Sequence, residues 1–321
     1  MKYVHLALYA AVGLAILQPV RSQDLTGFNA LRIEPSARAT ALGGSLSAVY
    51  DDDINTFFYN PALLNEGMER DLSVSYVNHL SDITVGSVAY GRHFEQYGTV
   101  AGGLRYLHWG TLQGGDEDGQ RTGTFGASDV ALTLGGARTY GDWLRYGVGL
   151  HLVYSGVETH SAAAVALDAG ILWRVPSQQL FVSASVHNLD LALGSLGPSR
   201  DVLPVDLRIG ITKRLRYMPL LLSLTGYGIE STLNGPQDAS VADKVFRHLL
   251  IGGEFQLSRS FNIRFGYSHR RHMALKRTGS RFDLAGIGMG FGLGIRRFRL
   301  GYAFNSWSFA ALHHITVRTR L

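Results

Sequence analysis

The chain has 321 residues, 46% of them hydrophobic, and a formal net charge of +5, an excess too small to indicate nucleic-acid binding. It contains no cysteine, which excludes disulfide bonds and thiolate metal sites. Its 39 glycines, with 15 Tyr and 15 Phe against 5 Met, favour sheet over helix.

Residues 1–22 have the pattern of a secretory signal peptide. Lys2 precedes an apolar run at residues 6–17, and small or modest side chains follow at residues 20–22, where a signal peptidase cuts. The run is shorter than the roughly 20 residues that a membrane-spanning helix needs. We therefore expect an exported chain whose mature form begins near Gln23 and has no transmembrane helix.

Residues 23–70 lack sustained alternation of apolar and polar side chains, so they are not predicted to form strands. They contain small residues at 36–44, an acidic triplet at 51–53 and a turn at 60–64. Small side chains allow tight packing, and we expect this segment to be an N-terminal hatch inside a barrel. The residues predicted to build it are Arg38, Gly43, Gly44, Asp52, Asn60, Pro61 and Ala62.

Residues 71–321 show a period of two, which places apolar side chains on one face of each strand and small or polar side chains on the other. The links that follow strands three, seven, nine and eleven are predicted to be long, at residues 109–127, 189–203, 229–243 and 271–282. Most of the others are very short. The predicted strands begin near Asp71, Ile83, Gly98, Ser128, Trp143, Ala163, Gln179, Pro204, Met218, Val245, Ser260, Asp283, Arg297 and Leu312.

Alternating short and long links are typical of an up-and-down barrel of a bacterial outer membrane, with tight periplasmic turns and longer outer loops. An even number of strands lets such a barrel close, which the membrane requires because unpaired backbone groups cannot be solvated in hydrocarbon. The sequence therefore predicts an all-β, transmembrane antiparallel barrel of about 14 strands, with the N-terminus on the periplasmic side.

The twelfth predicted strand carries a glycine at every second position. A strand without side chains on its inner face lets another backbone approach closely, although the glycines could instead relieve curvature. The residues predicted to allow this approach in the lumen are Gly286, Gly288, Gly290, Gly292 and Gly294.

No enzyme, metal or cofactor site is predicted. The acidic triplets at 51–53 and 116–118 lack the loop spacing of a calcium site, and His269 and His272 are expected to be solvated loop residues. Four serines fall on predicted inner faces without a His and an acid at a recognisable spacing: Ser73, Ser75, Ser183 and Ser185. Inward charges are expected to pair with one another and to hold the hatch in place.

The small-residue stretch, the acidic triplet and the Asn-Pro turn resemble the hatch of the FadL-like family of outer-membrane barrels. Within that family the chain is most similar to the PorV/PorQ group, at residues 72–78, 243–249 and 263–267. Its compact length fits the PorQ branch better than the longer PorV branch. It departs from the usual pattern at its end, where Leu321 replaces the aromatic residue common in barrel-assembly signals.

This resemblance implies a non-enzymatic scaffold of the type IX secretion system attachment machinery, which supports processing and cell-surface anchoring of secreted cargo. The implied partners are PorZ, through it PorU and PorV, and outer-membrane lipid such as lipopolysaccharide. The alternative is a FadL-like passive transporter of hydrophobic small molecules, against which the predicted polar inner faces argue. A water-filled porin is the third reading, and a plugged lumen argues against it.

Overall fold

The computed structural model describes residues 28–78, 82–115, 120–192, 203–231, 240–275, 284–306 and 311–321. The predicted signal peptide and the acidic triplet at 116–118 lie outside these ranges. Within them, no helix is both long enough and apolar enough to cross a membrane.

In the described part of the chain, fourteen antiparallel strands form one closed barrel in which each strand pairs with its neighbours in sequence. Closure joins the first strand to the last through eight residue pairs. The strands are β1 (Asp71–Asn78), β2 (Thr84–Phe94), β3 (Gly98–Gly115), β4 (Arg121–Tyr140), β5 (Leu144–Val157), β6 (His160–Val175), β7 (Leu180–Ala192), β8 (Asp206–Arg214), β9 (Leu220–Gly226), β10 (Leu249–Gln256), β11 (Phe261–Ser268), β12 (Ile287–Ile295), β13 (Phe298–Ser306) and β14 (Ala311–Arg320). The predicted fold class is therefore confirmed.

Large apolar side chains cover the outer face of the barrel, as contact with lipid requires. On β5, for example, Tyr146, Val148 and Tyr154 are exposed while His151 between them is buried. Aromatic residues also gather near the short turns. There the rings of Trp143 and Trp173 lie 5.3 Å apart, an arrangement typical of a membrane interface.

Residues 28–70, which we call the N-terminal segment, form short helices that pack against the inner faces of the strands. Small or turn-forming residues interrupt the segment, and polar side chains cap the start of most of its helices, as Ser36 and Asn60 do. One helix, α1 (Ala37–Ala41), is buried throughout and contacts β11 to β14. The remaining elements are 3-10 helices at Asn29–Arg32, Ile54–Phe58, Pro61–Leu63 and Glu66–Met68.

Further short helices lie in the links between strands. A 3-10 helix, Pro176–Gln178, joins β6 to β7, and another, Ile229–Ser231, follows β9. Two α-helices lie on the long-link side of the barrel: α2 (Val241–Phe246) before β10 and α3 (His269–Leu275) after β11.

Several predicted boundaries were wrong, among them the start of the twelfth strand, which begins at Ile287 rather than near Asp283. The link predicted at 109–127 is mostly strand, because β3 and β4 continue as a paired ribbon past a bulge, with Thr111 opposite Gly126. Glycine and polar residues hide the alternation in this ribbon. The tenth strand begins at Leu249 rather than near Val245, because Ser240 caps α2 and the chain is helical at Val245.

Candidate functional site

Arg38 lies at the centre of a buried group of charges that joins α1 to the barrel wall. Its guanidinium contacts Asp51 at 2.7 Å, Asp53 at 3.4 Å and Glu254 at 2.8 Å. Glu254, on β10, also accepts a hydrogen bond from Arg264 Nε on β11 at 2.8 Å. We call these five residues the Arg38 cluster. Buried charges are tolerated only when paired in this way, so the cluster fixes the position of the N-terminal segment.

A second group of charges connects the acidic triplet with β14. Arg318 contacts Asp71 at 2.6 Å and Asp53 at 3.4 Å and donates a hydrogen bond to the backbone carbonyl of Asp52. The Asp52 carboxylate pairs with Arg299 at 2.6 Å. Burial raises the pKa of the Asp53 carboxyl, but the charges of Arg318 and Arg38 outweigh this effect and hold its pKa below the ordinary value.

A cavity of about 270 Å³ lies beside these charges, near the turns that join β8 to β9 and β10 to β11. Its wall includes Arg38, Asp53 and Arg318 from the charged groups, Arg214 at the end of β8 and Arg259 from the turn after β10. Because charged groups line it, this cavity does not suit an apolar ligand.

The residues predicted to build the hatch lie in tight contacts. Gly43 and Gly44 end α1 with φ of +90° and +108°, values that favour glycine, and a side chain at Gly43 would press on the backbone of Tyr267. Asn60 Oδ1 accepts a hydrogen bond from the backbone of Ala62 at 2.9 Å. Pro61 follows Asn60 directly and packs against the inner face of Gly147 on β5.

The glycines of β12 meet different neighbours. Gly288 and Gly290 face α1 so closely that an added side chain would collide with Thr40 or Ala41. Gly292 faces side chains of β11 instead. The predicted approach of the N-terminal segment was therefore wrong for Gly292. It was also wrong for Gly286, which precedes β12 and contacts α3, and for Gly294, whose nearest neighbour is Ser260 at 3.6 Å.

Part of the inner wall is apolar, which corrects the expectation of polar inner faces throughout. Phe28 is fully buried among small inward-facing side chains of β4, β5 and β6, so its ring occupies the space that these alanines leave. We call this group the apolar luminal cluster. Its buried members are Phe28, Ala30, Ala131, Val153, Ala162, Ala164, Ala166 and Leu203.

The expectation that no inward serine has a paired His and acid was also wrong. His187 lies between Ser185 and Asp168, with Nε2 2.9 Å from Ser185 Oγ and Nδ1 2.6 Å from Asp168 Oδ2. Ser185 and His187 are two positions apart on β7, so they share the inward face. This spacing was visible in the sequence, but the acid comes from β6 and could be found only from the register of the two strands.

His269 and His272 lie on α3 rather than in an irregular loop. Each has its own hydrogen-bond partner, Asp243 for His269 and the backbone carbonyl of Ala285 for His272. Among the described residues, no three His, Cys, Asp or Glu side chains are placed to hold a metal ion.

No protein-family model and no curated protein matches the chain. Several solved structures are similar to it. A deletion mutant of the monoaromatic hydrocarbon channel TodX has a TM-score of 0.58 at 11% identity, over 89% of this chain and 99% of that one. The Ralstonia pickettii toluene transporter TbuX has a TM-score of 0.58 at 13% identity, with coverages of 90% and 99%.

A Pseudomonas aeruginosa FadL homologue also matches, with a TM-score of 0.51 at 10% identity over 89% of this chain and 98% of that one. At identities this low, the likeness shows the fold alone. The matched structures show that this closed fourteen-stranded barrel has the fold of the FadL-like outer-membrane barrels.

Proposed function

We propose that the protein resides in a bacterial outer membrane and admits small hydrophobic molecules through a lumen gated by its N-terminal segment. The observation that carries this proposal is the apolar luminal cluster. The ring of Phe28 already occupies it, so a free monocyclic aromatic molecule would have the right size and polarity for the same space. The similar structures named as hydrocarbon channels support this function over the scaffold implied by the sequence.

Entry of such a ligand requires Phe28 to leave the cluster. A Phe28→Ala variant should therefore increase uptake of radiolabelled toluene by bacterial cells that lack their own hydrophobe channel. Whole cells are needed because the lipopolysaccharide leaflet, unlike a phospholipid bilayer, is the barrier to be crossed. Phe298→Ala, which removes an outward-facing ring, is the matched control and should leave uptake unchanged.

A second function is favoured by the charged contacts. Salt bridges of the Arg38 cluster and of Arg318 hold the N-terminal segment against the barrel wall, and the cavity beside them is small and polar. A barrel that stays closed could serve as the scaffold of the type IX secretion attachment machinery that the PorV/PorQ resemblance implies. Its partners would then be PorZ, and through it PorU and PorV, at a surface rich in lipopolysaccharide.

Crosslinking in intact cells of the source bacterium followed by affinity purification separates the two functions. The scaffold predicts that PorZ, PorU or PorV is recovered and that deleting the protein releases cargo from the cell surface. Transport predicts neither result, and it predicts toluene uptake above that of cells without the protein. Transport would be refuted if deleting the protein released cargo from the cell surface and the protein gave no toluene uptake.

A further inference from the structure

The side chains around Asp168 form a hydrogen-bond chain that fixes where each proton lies. Asp168 Oδ2 is 2.6 Å from His187 Nδ1 and 2.8 Å from His151 Nε2, and Oδ1 accepts the backbone N–H of Asn188 at 3.0 Å. An ionised carboxylate only accepts hydrogen bonds, so His187 carries its hydrogen on Nδ1. With one hydrogen on the ring, Nε2 is the acceptor, and Ser185 Oγ donates to it at 2.9 Å.

His151 has the complementary arrangement. It donates from Nε2 to Asp168, so its Nδ1 is free to accept a hydrogen bond from Thr133 Oγ1 at 2.9 Å. Asp168 thus accepts three hydrogen bonds, from His187, His151 and the backbone of Asn188. These bonds favour the ionised carboxylate, so the proton stays on His187. The result is a serine hydrogen-bonded to a base that a carboxylate orients, the arrangement that activates a hydroxyl as a nucleophile.

The backbone beside this group is irregular. The β6–β7 register shifts between Leu167 and Ala169, and Asn188 takes a φ of +58°, unusual for a residue other than glycine. This bulge directs the N–H of Asn188 onto Asp168. Bulges and strained residues are frequent next to active sites, where they aim a side chain or a backbone group.

The group is shielded from water and adjoins the apolar luminal cluster. Ser185, His187 and Asp168 are 7%, 3% and 4% exposed. Ala166 lies two positions before Asp168 on the same face of β6, and Val153 lies two positions after His151 on β5. The apolar luminal cluster and the group around Asp168 are therefore neighbours on the inner wall of β5 and β6.

We propose that Ser185, His187 and Asp168 form a hydrolytic site in the lumen, with an ester of a hydrophobic carboxylic acid as substrate. Ser185 Oγ attacks the ester carbonyl carbon, and His187 Nε2 takes the hydroxyl proton. Arg208, in register with Ser185 on β8 and ion-paired with Asp206 at 2.5 Å, would supply positive charge to the resulting oxyanion. The C–O ester bond breaks, and His187 returns the proton to the departing alcohol.

The acyl group is then an ester of Ser185, and water removes it in the reverse sequence. His187 takes a proton from the water, the hydroxide attacks the acyl carbon, and Ser185 leaves with that proton restored. The products are the carboxylic acid and the alcohol. This inference goes beyond the proposed passage of small molecules because it adds a reaction, and it rests on that function because the ester must enter the lumen.

The test is labelling of the purified, folded protein in detergent with an alkyl fluorophosphonate, which phosphonylates activated serines. Mass spectrometry should locate the adduct on Ser185, and Ser185→Ala should abolish it. Asp168→Asn should slow adduct formation by about 100-fold or more, because the ring of His187 loses its orientation. Ser183→Ala, which removes the neighbouring inward serine of β7, is the control and should label at the wild-type rate.

Each variant is first checked for the heat-dependent gel mobility of a folded barrel, so that failed folding is not taken for lost reactivity. Phe28→Ala should accelerate labelling, because it opens the space that the alkyl chain of the probe needs. Absence of a Ser185 adduct in both the wild type and Phe28→Ala would overturn the proposal. An adduct that forms equally fast in a folded Asp168→Asn would also overturn it, because the carboxylate would then have no part in the reactivity.

Discussion

Arg38 holds the N-terminal segment to the barrel wall, because its single guanidinium serves three carboxylates. Replacing it with alanine would leave Asp53 and Glu254 buried with fewer partners. We expect Arg38→Ala to lower the free energy of unfolding by about 3–5 kcal/mol, measured by urea titration of gel mobility. Arg299→Ala is the control: this side chain is more than half exposed, so its loss should cost about 1 kcal/mol or less.

The charges around Asp53 also predict a pH dependence. The pKa of Asp53 is lower in the folded protein than in the unfolded chain, so the carboxylate stabilises the fold above the unfolded pKa of about 3.9. This contribution is lost as the pH falls through the acid range below that value. Urea titrations from pH 6 downward should show falling stability, and Asp53→Asn should flatten the decline. An equal slope in the variant would contradict this account.

Gly288 and Gly294 form a matched pair on the same face of β12. A methyl group at Gly288 would collide with the backbone of α1, whereas at Gly294 the nearest atom is 3.6 Å away. Gly288→Ala should therefore destabilise the barrel by about 1–3 kcal/mol, and Gly294→Ala should have little effect. Equal effects in urea titrations would mean that the glycines serve curvature rather than the close approach of α1.

At the scale of elements, the long and short links are predicted to face opposite sides of the membrane. Because the chain has no cysteine, single substitutions can report the side directly. Val241 in α2 is 73% exposed and Tyr217 in a short turn is 98% exposed. A membrane-impermeant maleimide should label Val241→Cys but not Tyr217→Cys in intact cells, and both after lysis. The opposite labelling pattern would mean that the short turns and the N-terminus lie on the outer side of the membrane.

The strands were predictable because apolar side chains alternate along them and turn residues separate them. The extension of β3 and β4 was missed, since the alternation fades where glycine and polar residues replace apolar ones at 111–126. The apolar luminal cluster was missed for another reason: alanine on an inner face is small enough to resemble a polar lining until Phe28 is placed on it.

The group around Asp168 could not be predicted from spacing. Ser185 and His187 are separated by one residue, but their acid lies on the preceding strand, and a bulge at Asn188 shifts the register by which it would be found. Contacts between strands depend on register, which the period of two leaves free by steps of two residues. The same limit hid the partner of Arg38 on β10, Glu254, which lies 216 positions away.

For the whole molecule, the account rests on a barrel whose lumen is filled. The buried helices of residues 28–70 contact strands around the circumference, with Pro61–Leu63 on β4 to β6, α1 on β11 to β14, and Ile54–Phe58 on β1 and β2. Both proposed functions need this filling, as a gate in one case and as a permanent seal in the other.

Recording ion current across a planar lipid bilayer tests this claim most directly. With the wild-type protein inserted, the account predicts no steady aqueous conductance, because charged and apolar contacts close the lumen from β1 to β14. Arg38→Ala, which loosens the N-terminal segment, should produce intermittent openings. A steady open conductance of the wild type would contradict the account.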